Sequence, residues 1–170
     1  MTAAARRAGV LRALQGAAQP LSATALAERF GVSRQIIVGD VALLRAGGEE
    51  ILATPRGYAL RQGGEGLLLR TVACVHDAAG TERELDIMVD NGCTVRDVIV
   101  EHPVYGQLTG TLELRSRYDV AQFMERLISD GAKPLSSLTD GIHLHTLLCP
   151  DEAAFQRTRE ALRSAGFLFE

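Results

Sequence analysis

Apolar positions in the first third of the chain recur at helical spacing, then give way to short alternating runs. Residues 2–16 set Val10, Leu11 and Leu14 on one face, and Gly16 closes the segment. Ser22 is placed to cap a second helix over Ala23–Phe30, in which Leu26 and Phe30 stand four apart. Gly31-Val32-Ser33 forms a short turn. Ser33 then caps a third helix, Arg34 to about Arg45, with Ile37, Val41 and Leu44 on its inner side and Gly47-Gly48 as its stop. Residues 50–60 read as two short strands around Pro55-Arg56-Gly57. Helix, helix, turn, helix and hairpin in that order predict a winged helix-turn-helix domain over residues 1–62.

The polar, glycine-rich stretch 61–66 predicts a domain boundary. Beyond it the pattern alternates over a second domain, residues 67–170. Strands are expected at 67–75, 95–101, 108–114, 142–148 and 166–169, and helices at 81–91, 117–129 and 151–164. On the middle helix Val120, Phe123, Met124, Leu127 and Ile128 are expected to face inward. The order is β-α-β-β-α-β-α-β. Its first six elements match the split β-α-β arrangement of a ferredoxin-like domain, with an α-β pair added. The predicted class is α+β: a winged helix-turn-helix followed by a ferredoxin-like effector domain.

Composition narrows the class. Apolar content of 46% and charged content of 23% are ordinary for a soluble globular protein. The N-terminus lacks the uninterrupted apolar core of a secretory signal, and no apolar run approaches the roughly 18–20 residues that span a bilayer. The expectation is a cytoplasmic protein without a membrane partner. Three cysteines at unrelated spacings, with no CxxC pair, support neither a disulfide framework nor a cysteine zinc site. The net charge of −3 hides a split. Residues 1–62 hold eight arginines and four acids, a balance of +4, while the other 10 basic and 17 acidic residues give −7. An anionic partner for the basic first domain is one explanation.

DNA is such a partner. A helix of this length fits the major groove, and its N-terminal residues Ser33, Arg34 and Gln35 are suited to base edges or phosphates. Arg45 lies further along the same helix, and Arg56 stands on the wing beside Tyr58. Gly39, inside that helix, costs about 1 kcal/mol relative to alanine; close approach to DNA and close helix packing are both open as its reason.

All four histidines lie beyond residue 75: His76, His102, His143 and His145. His143 and His145 are two apart on a strand, so both imidazoles project from one face. His76 ends a strand that can lie beside them, and Glu84 follows eight residues later. Three imidazoles and a carboxylate suit zinc, nickel or a similar divalent ion. Two solvent-facing histidines remain the plainer reading of that pair. Glu84 has an alternative too, because Thr81-x-x-Glu84 is a capping box, and Glu82 competes as a ligand. Glu101-His102-Pro103-Val104-Tyr105-Gly106 is a turn where His102 and Tyr105 could line a pocket for a flat ring.

VSRQIIVGDVALLRA in the first domain, and HDAAGTERELDIMVDNG, EHPVYGQLTG, SRYDV and PLSSLTDGIHLHTL in the second, occur in an order that resembles the niacin-responsive transcription repressors. These join a helix-turn-helix to a three-histidine, or 3H, domain, and the likeness covers essentially the whole chain. It implies a repressor of genes for NAD biosynthesis or niacin uptake, with nicotinic acid as co-repressor, a divalent metal, and a homodimer on a palindromic operator. Carried onto matching positions, the metal ligands are His76, Glu84, His143 and His145, with His102 and Tyr105 near the effector. Gly39 and Gly47-Gly48 depart from a firm recognition helix and leave the operator open. Two other readings stand beside this one: a metal-dependent hydrolase carrying a winged helix, for which Cys74 near His76 is the only hint of a nucleophile, and a sensor for which the ion is the signal.

Overall fold

A computed structural model describes residues 1–61 and 66–170. The chain divides into two compact units, residues 1–63 and 64–170. The glycine-rich boundary expected at 61–66 falls largely on residues 62–65, outside the described residues.

The first unit holds α1 (Ala3–Gln15), α2 (Ala23–Phe30), α3 (Arg34–Ala46) and a hairpin of β1 (Ile51–Thr54) and β2 (Gly57–Leu60). The capping serines act as the sequence indicates: Ser22 Oγ accepts from Ala25 N at 3.0 Å and Ser33 Oγ from Ile36 N at 3.3 Å. Between those helices Gly31 adopts φ 64°, a left-handed turn that glycine takes without strain. Val10, Leu14, Leu26, Ile37, Val41 and Ile51 form one core. The wing is pinned at its base, where Leu21 and Tyr58 exchange backbone hydrogen bonds of 2.9 and 2.8 Å. Gly57 lies so close to this ladder that a Cβ there would stand 2.5 Å from the Leu21 carbonyl.

The second unit runs β3 (Leu68–Val75), α4 (Thr81–Asp90), β4 (Thr94–His102), β5 (Gly106–Leu114), α5 (Arg117–Ser129), β6 (Ile142–Cys149) and α6 (Glu152–Ser164), with short 3-10 segments at Ala78–Gly80 and Leu135–Thr139. The four strands form one antiparallel sheet in the order β3-β6-β4-β5. The split β-α-β is present: β3 and β4, joined through α4, are held apart by β6. The middle of the sheet is thus the second and fourth strands of the domain, where a ferredoxin-like sheet has its first and third.

One sheet face supplies Val72, Val95, Leu112, Leu114 and Leu147 to a core completed by Leu85, Met88, Val120, Phe155 and Leu162 from the helices. Two expectations fail here. The closing strand at 166–169 is reduced to a bridge between Leu168 and Cys74, because only Phe167 and Phe169 reach the β3 backbone. Ile128 is 77% exposed; Val120 is in the core and Phe123 and Met124 pack against it without Ile128.

Candidate functional site

β3 and β6 pair so that Val72 opposes His145 and Cys74 opposes His143. His143 and His145 both face inward, at 3% and 2% exposure. The reading of this pair as solvent-facing is therefore overturned. His76 follows β3 directly, and its backbone meets Gly141 just before β6. Glu84 enters from the first turn of α4 and is fully buried. Its carboxylate is the point on which the three rings converge. His76 Nε2 is 2.7 Å from Glu84 Oε2, His143 Nε2 is 2.8 Å from Oε1, and His145 Nε2 is 3.3 Å from Oε2.

The capping-box alternative for Glu84 is corrected by this geometry. Gly80 is the N-cap of α4, no side chain caps it, and Thr81 lies within the helix. The Thr81 hydroxyl has no hydrogen-bond partner. Glu82 is exposed and is not part of the cluster.

Each ring is oriented by a backbone carbonyl. His76 Nδ1 lies 2.6 Å from the Asp77 oxygen, His143 Nδ1 2.8 Å from that of Gly141, and His145 Nδ1 2.7 Å from that of Asp97. A carbonyl only accepts, so each Nδ1 carries the proton. In the neutral ring each Nε2 then presents a lone pair to a carboxylate, which repels it. The cluster is relieved only by added protons or by a cation among the donors. His76 Nε2 and His145 Nε2 are buried and make no aligned hydrogen bond, despite their distances to Glu84. Three nitrogen donors and a carboxylate on one point, with the far ring nitrogens fixed, could hold a divalent ion. The residues fit the ion that the 3H resemblance implies.

Burial opposes charge on His76 and His145, but the Glu84 carboxylate outweighs it and holds both above the ordinary 6.5. Burial would raise Glu84. The charge of His145 and hydrogen bonds from the three rings instead hold it well below 4.5. The shifts of His76, His145 and Glu84 share one cause, the pairing of imidazole with a buried carboxylate.

Two glycines fix the frame. A Cβ on Gly141, at φ 90°, would stand 2.3 Å from the His76 carbonyl oxygen, and one on Gly80 would touch the His76 ring at 3.0 Å. In β4 an irregularity between Val95 and Ile99 frees the Asp97 carbonyl for His145, while Asp97 Oδ1 accepts from Thr146 N at 2.9 Å. The sequence marks Gly141 only as part of the turn before the histidine strand and gives no sign of Asp97. A glycine next to the histidine strand was a usable signal; the irregular pairing left none.

A cavity of about 30 Å³ opens beside the cluster, lined by Thr81, Val98, Leu112, Phe123, Leu135 and Ser136 among others. His102 and Tyr105 do not line it. They lie at the β4–β5 turn, with ring centroids 5.0 Å apart. His102 Nδ1 accepts from Val104 N and Tyr105 N, and Tyr105 is 75% exposed. Their expected place in an effector pocket is corrected: they belong to an exposed hairpin tip, and apolar side chains take the position beside the cluster.

In the first unit Arg34, Gln35 and Arg45 on α3 and its cap Ser33 are all exposed. Gln35, Gly39, Ala42 and Ala46 follow one another down its outer side. A Cβ on Gly39 would meet nothing within 4 Å, which removes helix packing as the reason for that glycine. Arg56 donates to Gln19 Oε1 at 2.9 Å, so its guanidinium is braced against the loop before α2. Asp40, also unforeseen, is buried in α3 and receives Arg6 Nε at 2.5 Å and Nη2 at 3.2 Å from α1. That pair draws Arg6 away from the solvent-facing charge counted in the sequence.

A family model described as the 3H domain matches residues 69–170, and one described as an HTH domain matches residues 6–59. The transcription repressor NadR of Bacillus subtilis (strain 168) is 42% identical over 168 residues, which span 97% of this chain and 93% of that protein. The chain belongs to this family of transcription repressors. The probable transcription repressor NiaR of Thermotoga maritima is likewise 42% identical over 165 residues, 97% of this chain and 94% of that protein. The helix-turn-helix is a DNA-binding domain, and the chain is a regulator rather than an enzyme. The reading as a metal-dependent hydrolase is set aside. No described helix of the repressor is long and apolar enough to cross a membrane.

Proposed function

We propose that this repressor acts in the cytoplasm as a homodimer on operator DNA of NAD biosynthesis or niacin uptake genes, with nicotinic acid as co-repressor and a divalent metal, nickel or zinc, in the 3H domain. The observation that carries the metal reading is the convergence of His76, His143 and His145 Nε2 on Glu84, with every Nδ1 already engaged. The ion would supply a Lewis-acid anchor for a carboxylate. His76, Glu84, His143 and His145 would hold it, and the side chains of the adjoining cavity would receive the ring.

That cavity suits a small aromatic acid. Its walls are largely apolar, and the Thr81 hydroxyl is a buried polar group without a partner. At about 30 Å³ it is smaller than the roughly 150 Å³ of a cavity that takes benzene. A pyridine ring therefore enters only if part of the lining moves, which includes Leu135 and Ser136 of the short segment Leu135–Thr139. A ligand changes DNA affinity only by binding one arrangement better than another. Displacement of this lining is the differential contact available. On the DNA side, Ser33, Arg34, Gln35 and Arg45 would meet the groove, with Arg56 on the wing.

The test is an operator titration of the metal-loaded full chain, with and without nicotinic acid. Nicotinic acid is expected to tighten operator binding, and unchanged affinity would overturn the co-repressor reading. If chelation alone changes operator affinity and nicotinic acid does nothing, the ion itself is the signal.

A further inference from the structure

Cys74 is a buried thiol outside the metal set described above, and it rests against that set. It opposes His143 in the β3–β6 ladder, so both side chains leave the same face as neighbours. It is fully buried. Donor atoms of Cys74, Glu84 and His143 all lie within 4.8 Å of one another. Atoms that share one ion at 2.0–2.3 Å stand at most about 4.6 Å apart, so this trio is near the spacing that shared coordination demands. A cysteine buried among apolar side chains is ordinary by itself. Here a second feature points inward: His145, 2% exposed, aims an unpartnered Nε2 at the same carboxylate.

We infer that Cys74 is a further metal donor in this chain, making the centre a mixed nitrogen, oxygen and sulfur site. The inference rests on the metal reading above. When the ion binds, a metal–sulfur bond forms, the thiol proton leaves to solvent, and no electron is transferred. A thiolate turns the site toward zinc, cobalt and nickel and away from magnesium, calcium and manganese, which prefer oxygen. The other two cysteines are a separate pair: Cys93 and Cys149 place their sulfurs 3.1 Å apart in the core.

Cobalt(II) loading of the full-length chain tests this, read by absorption and by metal content. The wild type is expected to show a near-ultraviolet thiolate-to-cobalt charge-transfer band, retained in Cys93→Ser. In Cys74→Ser and Cys74→Ala the band is expected to vanish while the weaker visible cobalt bands persist. Stoichiometric cobalt in the wild type without the charge-transfer band overturns the role of Cys74 and leaves the histidine site standing. A band that survives in Cys74→Ala also overturns it. Failure of the wild type to bind cobalt, zinc or nickel overturns the metal reading and this inference together. If the Cys74 variants do not fold, absence of the band from the cobalt-loaded wild type still overturns the inference, and its persistence in both Cys93→Ser and Cys149→Ser supports it.

Discussion

At the scale of single residues, the cluster is governed by which ring nitrogen carries a proton. The three carbonyls that fix Nδ1 leave Nε2 to an added proton or to a metal. The two partners therefore compete, and their pH dependences oppose each other. In the metal-free protein Glu84 is held below its ordinary 4.5, so its stabilising contribution is present above that value and is lost as pH falls through the lowered one. His76 and His145 are held above 6.5, so their contribution is full below that value and is lost as pH rises through the raised ones. Chelator-treated protein should accordingly melt lower at about pH 8 than at about pH 6. Metal affinity should rise over the same interval, because bound imidazoles must be neutral. Thermal melts and metal titrations at the two pH values check both signs. Equal melting temperatures in metal-free protein would show that the rings are not charged beside Glu84.

At the scale of elements, α3 is the part of the first unit whose role can be isolated. Its core side is Ile37, Val41 and the buried Asp40, and its outer side is Gln35 followed by small residues. Small residues there let a helix backbone come close to a groove, which accounts for Gly39 better than packing does. Arg34 stands exposed at the N-terminus of the helix, where the peptide dipoles also favour a phosphate. Arg34→Ala should weaken operator binding and reduce the steepness of its salt dependence by about one unit in the log–log slope if the contact is to a phosphate. Fluorescence anisotropy across a salt series measures this. An unchanged slope with a changed sequence preference would instead assign Arg34 to a base edge. Arg56 is a weaker candidate, since Gln19 already receives its side chain.

At the scale of the whole molecule, two units with separate cores predict separable stabilities. A ligand that binds only the folded second unit stabilises that unit by about 2.7 kcal/mol when present at 100 times its dissociation constant. Zinc or nickel should therefore raise the melting transition of the 3H domain, and chelation should lower it. Helical signal from α1, α2 and α3 should survive to the same temperature in both cases. Hydrogen exchange resolved by segment distinguishes them. Equal protection of β6 with and without metal would show that the ion does not bind the folded domain at this site.

The order of elements, the two capping serines Ser22 and Ser33, and the pairing of His143 with His145 on one strand face were legible in the sequence because each depends on neighbours a few residues apart. Glu84 joined the set from its place eight residues after His76, and the family likeness implied the same assignment. What the sequence left open was direction. His143 and His145 could have faced water, and the layer of helices on that sheet face turns them inward. Thr81-x-x-Glu84 has the spacing of a capping box, yet the 3-10 turn at Ala78–Gly80 moves the cap to Gly80 and frees the carboxylate for the rings. His102 and Tyr105 looked like a pocket because they are close in sequence, but a hairpin turn carried them to the surface. Gly141, Asp97 and the walls of the cavity are brought in by contacts between distant segments, such as His143–Glu84 across 59 residues and His145–Asp97 across 48. Local spacing determined which residues could share a face. Sheet order, an irregular strand pairing and the layer of helices decided which face, because those follow from burial of the whole core rather than from any run of sequence.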